Sequence, residues 1–280
     1  MPKSAWELLQ AGDPSLDLPP GRLVHGDEGD DEKPAMWVSD GPATGDLWRS
    51  LRAAQPATGL CPLLLDHLTG DPRRPWDDGE LWPGDVTSPS DHDPGALLAQ
   101  GWRDQIGDVP GDQTGGAAGD QIGDASGDRI AVTAPFGTRW PGLADGRKPP
   151  VDPDVRAAHC VDRLLRSDPH LRLGLVPAAT GSAALAVAGW QGAVNYTNDT
   201  ARLSAVLGSW EERFGARVIG AGFADLYVSV AAPPVDHADA LRVAAEHFAF
   251  CPDNIWQGAG SLTAYAEQLT DAPIWTFWWD

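Results

Sequence analysis

Ala216-Arg217-Val218-Ile219-Gly220-Ala221-Gly222-Phe223-Ala224-Asp225-Leu226-Tyr227-Val228-Ser229-Val230-Ala231 decides the fold class of this chain. Two runs rich in Val, Ile and Tyr flank the break Gly222–Asp225, which is the composition of a β-hairpin. Helical periodicity brackets it on both sides. Upstream, Leu203, Val206, Leu207, Trp210 and Phe214 recur at i, i+3, i+4, i+7 and i+11, with Asn198 or Asp199 as N-cap and Gly215 as the stop. Downstream, Pro233-Pro234 ends the hairpin. Asp236, with Asp239 three residues on, then opens a helix striped by Leu241, Ala244, Ala245, Phe248 and Cys251.

Moving outward, Ala193–Tyr196 reads as a short strand, Ser261 caps a helix running to Leu269, and Ile274–Trp279 reads as the last strand. The resulting order, β-α-β-β-α-(α)-β, predicts an α+β fold of ferredoxin-like topology with one inserted helix. Both sides of the last strand, Trp275/Phe277/Trp279 and Ile274/Thr276/Trp278, carry large apolar residues, so a strand covered on both faces is expected. Further upstream, Asp152–Arg166 and Ser182–Ala188 read as helices and Leu171–Val176 as a strand.

Residues 1–103 form an irregular region rich in Trp, Pro and Gly. Its expected elements are a helix near Ser4–Gln10, a strand at Ala35–Val38 and a helix around Leu60–Leu68. Trp6, Trp37, Trp48, Trp76 and Trp82 argue that it packs, because disordered segments are poor in aromatics. In residues 104–131 the tetrads Asp104-Gln105-Ile106-Gly107, Asp112-Gln113-Thr114-Gly115 and Asp120-Gln121-Ile122-Gly123 recur eight residues apart. A calcium-binding β-roll repeats every nine residues in a different order, so a linker is expected here and 132–280 is expected to form the C-terminal domain.

Leu173-Gly174-Leu175-Val176-Pro177, Val194-Asn195-Tyr196-Thr197-Asn198-Asp199, Phe248-Ala249-Phe250-Cys251-Pro252-Asp253-Asn254-Ile255-Trp256 and the terminal Phe277-Trp278-Trp279-Asp280 together resemble the bacterial DUF4253 family, from about residue 170 onward. That family is defined by sequence alone, and the resemblance implies no activity.

With 40 acidic against 20 basic residues, the formal charge is −20. Such a field repels nucleic-acid phosphates and anionic membrane surfaces, and it favours a basic protein partner. The 3 cysteines form no C-x-x-C pair, so neither a disulfide framework nor a zinc knuckle is expected. No run approaches the ~20 apolar residues of a membrane span and Met1–Glu7 has no leader pattern, which makes the cytoplasm the expected location. Neither a dinucleotide fingerprint, a phosphate loop, a serine elbow nor a paired-histidine motif occurs, and no cofactor or metal is expected.

The chain order brings Tyr196–Asp199, Gly222–Asp225 and Cys251–Gln257 to one pole. Tyr196, Asn198, Asp199, Asp225, Asn254, Trp256 and Gln257 form a polar set suited to a small ligand. Cys251, with His247 four residues earlier on the same helical face and Asp253 to orient the ring, is the candidate nucleophile. Helix capping and core packing explain Asp199 and Cys251 without chemistry. The expectation is a non-enzymatic protein-binding module, inhibitor- or immunity-like, with 13 tryptophans available as anchors. The alternative is a small hydrolase or transferase using the pole.

Overall fold

The computed structural model describes residues 5–10, 16–27, 34–107 and 130–280. Most of the octad repeat, 108–129, therefore lies outside the described residues, while its first tetrad ends a helix. In chain order the elements are α1 (Ala5–Gln10), β1 (Gly21–Val24), β2 (Met36–Pro42), α2 (Gly45–Thr58), β3 (Leu60–Leu65), α3 (Pro94–Ile106), α4 (Pro153–Ser167), β4 (Arg172–Pro177), α5 (Gly181–Ala188), α6 (Thr200–Phe214), β5 (Ala216–Ala221), β6 (Asp225–Val230), α7 (His237–Phe250), α8 (Leu262–Leu269) and β7 (Ile274–Trp278). They divide between two compact units. One comprises Met1–His92, Arg147–Ala232 and Pro273–Asp280, the other Asp93–Gly146 and Pro233–Ala272.

The first unit is built on a seven-stranded mixed sheet of order β1-β2-β4-β3-β5-β6-β7. Only β3 and β5 pair in parallel, and every other neighbouring pair is antiparallel. Because side chains alternate across a strand, the sheet has two distinct faces. On one, Leu60, Leu64, Leu173, Leu175 and Ile219 join Trp48 and Leu51 of α2 and Ala157, Cys160 and Val161 of α4 in a single core, with Tyr227 and Ile274 packed against it. On the other, Trp210 of α6 stacks on Phe277 at 5.4 Å, and Trp210 and Phe214 meet Trp275 edge-on at 5.5 and 5.6 Å. Aromatic pairs in these geometries add to the area they bury.

In the second unit, Trp102 of α3 is fully buried, with the rings of Phe136, Trp140 and Phe248 at 6.4, 5.7 and 5.6 Å. Gly101 permits this packing: an added Cβ would lie 2.2 Å from the Ala249 carbonyl oxygen of α7.

The hairpin and its flanking helices form where the periodicity places them, including the Asp199, Asp236 and Ser261 caps and the left-handed Gly215 stop. Four expectations are corrected. Leu60–Leu65 is a strand buried along its whole length, since a continuous apolar run carries no periodicity to separate a buried strand from a helix. Ala193–Tyr196 is not a strand, because Tyr196 N–H and Thr197 N–H both turn back to the Ala193 carbonyl. Without that strand the ferredoxin-like order is absent: β5, β6 and β7 follow one another across the sheet, and β3 separates β4 from β5. Finally, β7 is the last strand in the order and is covered along its length on one face only: on the other, Ile274 packs against the core while Thr276 and Trp278 are exposed.

Candidate functional site

Parallel pairing sets the C-terminal ends of β3 and β5 side by side, and the Asp66 N–H donates to the Ala221 carbonyl at 2.9 Å. The chain then leaves β3 through Asp66-His67 and leaves β5 through the turn Gly222–Asp225. Two indoles hold these ends. Trp76 Nε1 donates to the Asp66 carbonyl, and Trp190 Nε1 donates to the Gly222 carbonyl at 2.8 Å. At Gly222 an added Cβ would sit 3.2 Å from the Cβ atoms of both Asp66 and Asp225, so the two aspartates flank one small volume.

Register puts the remaining groups on the same face. Asp225 is the cross-strand partner of Trp278, and Tyr227 that of Thr276. The Tyr227 hydroxyl donates to Asp66 Oδ2 at 2.6 Å, and the His67 N–H donates to Asp66 Oδ1 at 2.7 Å. Asp66 is thus fixed through both oxygens. No hydrogen bond or ion pair from the described residues reaches the Asp225 carboxylate, whose ionisation is drawn up to about 6 by burial and then by the negative charge of Asp66. The Tyr227 phenol is pushed far above its ordinary range by burial and by donating to a carboxylate.

Nearby cations are engaged elsewhere. Arg74 pairs with Glu80 and lies 4.7 Å from the centre of the Phe223 ring, while Arg172 pairs with Asp77 at 2.6 Å. His67 Nδ1 is 3.8 Å from Asp66 Oδ1. A carboxyl group with raised proton affinity beside a fixed carboxylate and a phenol is a group able to take up and release a proton near neutrality. Among the described residues, no group of three or more His, Cys, Asp or Glu side chains is placed to hold a metal ion.

The residues expected from sequence fall in both units. In the first, Tyr196 is exposed in a turn and Asn198 is exposed beside it. Asp199 caps α6 through the Ala201 N–H and also accepts from Thr87 N–H at 3.1 Å and Thr87 Oγ1 at 2.6 Å, with His92 Nε2 at 3.3 Å. Burial pushes the Asp199 carboxyl up, but these donors outweigh it and hold the group below its ordinary range. Asp199 therefore ties the 87–92 loop to a helix.

In the second unit, His247 and Cys251 are both 0% exposed. They share one network: Cys251 Sγ lies 3.5 Å from Asn254 Oδ1, Asn254 Nδ2 donates to the Tyr265 hydroxyl at 2.9 Å, and His247 Nδ1 lies 3.1 Å from that hydroxyl. Asp253 accepts from Gln257 at 3.1 Å, and Trp256 Nε1 donates to Gln105 at 3.3 Å. A fully buried thiol packs as a small apolar group. Cys251→Ala is expected to cost about 1 kcal/mol in urea unfolding; a variant fully as stable as the parent would show that the thiol contributes nothing to packing.

Of the strand-end site, the sequence points only to Asp225. Asp66 and His67 lie within the run that reads as a helix, and Tyr227 reads as an ordinary strand residue. The available signal is the Asp-His pair directly after an apolar run of strand length.

Residues 172–280 match the family model DUF4253, a domain of unknown function. The match contains Asp225, Tyr227 and Trp278 and excludes Asp66, His67 and Trp76. No curated protein and no solved structure matches the chain.

Proposed function

We propose that this chain is an enzyme of the hydrolase or transferase class, acting on a small polar molecule, with Asp225 as its general base. The observation that carries the reading is the pairing of Asp225, unpartnered among the described residues, with Asp66, which is fixed by Tyr227 and the His67 N–H at the ends of neighbouring parallel strands. A base works best when its ionisation lies near the working pH, and an Asp titrating at about 6 meets that condition. Asp66 supplies a fixed negative charge beside it. A cytoplasmic setting belongs to the same reading, supported by Cys61, Cys160 and Cys251, none of which is in a disulfide; among the described residues, no helix is long and apolar enough to cross a membrane.

A panel of chromogenic carboxyl-ester, phosphoester, glycoside and amide substrates, assayed between pH 4.5 and 8.5, tests it. Expected is turnover of at least one member with an acidic limb near pH 6, reduced at least 100-fold in Asp225→Asn. Turnover indistinguishable from the buffer rate across the panel, or equal in the variant, overturns the reading. A second reading, a protein-binding module for a basic partner, is supported by the exposed aromatic rings of Tyr196 and Trp278 on a chain of charge −20.

A further inference from the structure

We infer that the outer face of α4 docks an acidic, amphipathic segment of another protein, a role that does not depend on the chemistry proposed at the strand ends. Arg156, His159, Arg163 and Arg166 recur at i, i+3, i+7 and i+10. That spacing sets all four along one side of the helix, over about 15 Å at ~1.5 Å per residue. His159, Arg163 and Arg166 are exposed and Arg156 is half-buried.

The acids of this segment are engaged elsewhere. Asp152 caps the helix through the N–H groups of Asp154 and Val155 at 2.8 and 3.2 Å, and Asp168 accepts from the His170 N–H at 2.8 Å. Asp154 accepts from Arg52 of α2 and Arg217 of β5 at 2.9 and 3.0 Å, and both oxygens of Asp162 accept from Arg49 at 2.8 Å. Among the described residues, no carboxylate lies within ion-pair distance of Arg156, Arg163 or Arg166, and Arg156 Nε, screened from water, has no acceptor. Three unpaired guanidinium groups thus share one helix face in a chain with 40 acidic and 20 basic residues. Apolar surface adjoins them: Val155 is 52% exposed one turn ahead of His159, and Val151 is 39% exposed just before the helix.

This combination fits a peptide better than a nucleic acid. Carboxylates pair with guanidinium forks through two parallel N–H···O bonds, and an apolar peptide side chain covers the valines, for which a phosphate backbone has no counterpart. Duplex DNA, at one charge per ~1.7 Å, also brings a long anionic array against a chain of charge −20. A short acidic segment is opposed only by the charges within the ~8 Å over which physiological salt lets them act.

The test is fluorescence anisotropy of a labelled helical peptide, with glutamates at i, i+4, i+7 and i+11 and leucines beside them, titrated with the whole chain at low salt. Amide shifts of residues 153–167 are followed in parallel. Expected is saturable binding with shifts centred on α4, at least tenfold weaker in Arg156→Gln/Arg163→Gln/Arg166→Gln and for a peptide with glutamine at every glutamate. Val155→Ser is expected to weaken it several-fold, as is a tenfold rise in sodium chloride. Arg163→Glu, a single change at an exposed position, is expected to weaken it at least tenfold and keeps the test decisive if the triple variant unfolds. No binding, binding equal in Arg163→Glu with an unchanged melt, or equal binding of the glutamine peptide overturns the inference. Tighter, Arg163-dependent binding of a DNA oligonucleotide overturns it in favour of a nucleic acid. A mass that doubles with concentration in the parent but not in Arg163→Glu overturns it in favour of a second copy of the chain.

Discussion

Replacing Trp279 by Ala lowers the stability of the sheet-bearing unit by about 3–5 kcal/mol, the usual cost of emptying a large buried aromatic site. Trp279 is 2% exposed, meets Trp190 edge-on at 5.7 Å, and donates its backbone N–H to the Ala224 carbonyl at 3.2 Å. Trp190 in turn pins the Gly222 turn, so the loss also loosens the loop that presents Asp225. Deleting Trp278–Asp280 removes in addition the Asp280 carbonyl that accepts from Asn195 Nδ2 at 2.8 Å. Against a total of ~5–15 kcal/mol for a typical domain, the truncated chain is expected to lose its cooperative melt. Trp278→Ala, one residue away and on the open face, is expected to stay within about 1 kcal/mol of the parent. Equal losses at the two positions in urea titrations would contradict the assignment of faces in β7.

Asp225→Asn is expected to make the protein more stable at neutral pH and less able to bind or turn over ligand. The carboxyl rises from 3.8 to about 6 on folding, so between those values the native state holds more proton than the unfolded state. Stability therefore falls as pH rises through about 4 to 6 and is flat above. For a wholly buried group a rise of that size corresponds to ~3 kcal/mol, and partial exposure of Asp225 reduces this to about 1–2 kcal/mol at pH 7. The asparagine variant escapes that cost, so its advantage is expected to be near zero at pH 4 and to reach about 1–2 kcal/mol by pH 7, a rise of a few degrees in Tm. Parallel stability curves for the two proteins across this range would show that Asp225 titrates normally. A group that weakens its own fold at working pH is what a stability–function trade-off leaves behind.

What the sequence made legible depended on local chemistry. Caps at Asp199, Asp236 and Ser261, the Gly215 stop and the hairpin runs are each specified by a residue and its nearest neighbours, and each is present. Faces and neighbours were not legible. In β7, Ile274 packs against the core while Trp278 on the same side lies open, because cover on that face changes along the strand. Leu60–Leu65 offers no period to read, and with it goes Asp66, whose partner Asp225 lies far along the chain and is brought near only by the parallel pairing of β3 with β5. The Cys251 and His247 pair is visible in the spacing, but burial around Tyr265 and Asn254 is a property of packing that spacing does not encode.

The most direct measurement is a carbon-13 carboxyl titration of Asp225 by NMR, in the parent chain and in Asp66→Asn. Expected is a midpoint at about 6 in the parent that falls part of the way back toward the ordinary aspartate value when the Asp66 charge is removed, the remainder being due to burial. A midpoint near 4 in the parent, unmoved by Asp66→Asn, would contradict a coupled carboxyl pair at the strand ends and with it the site.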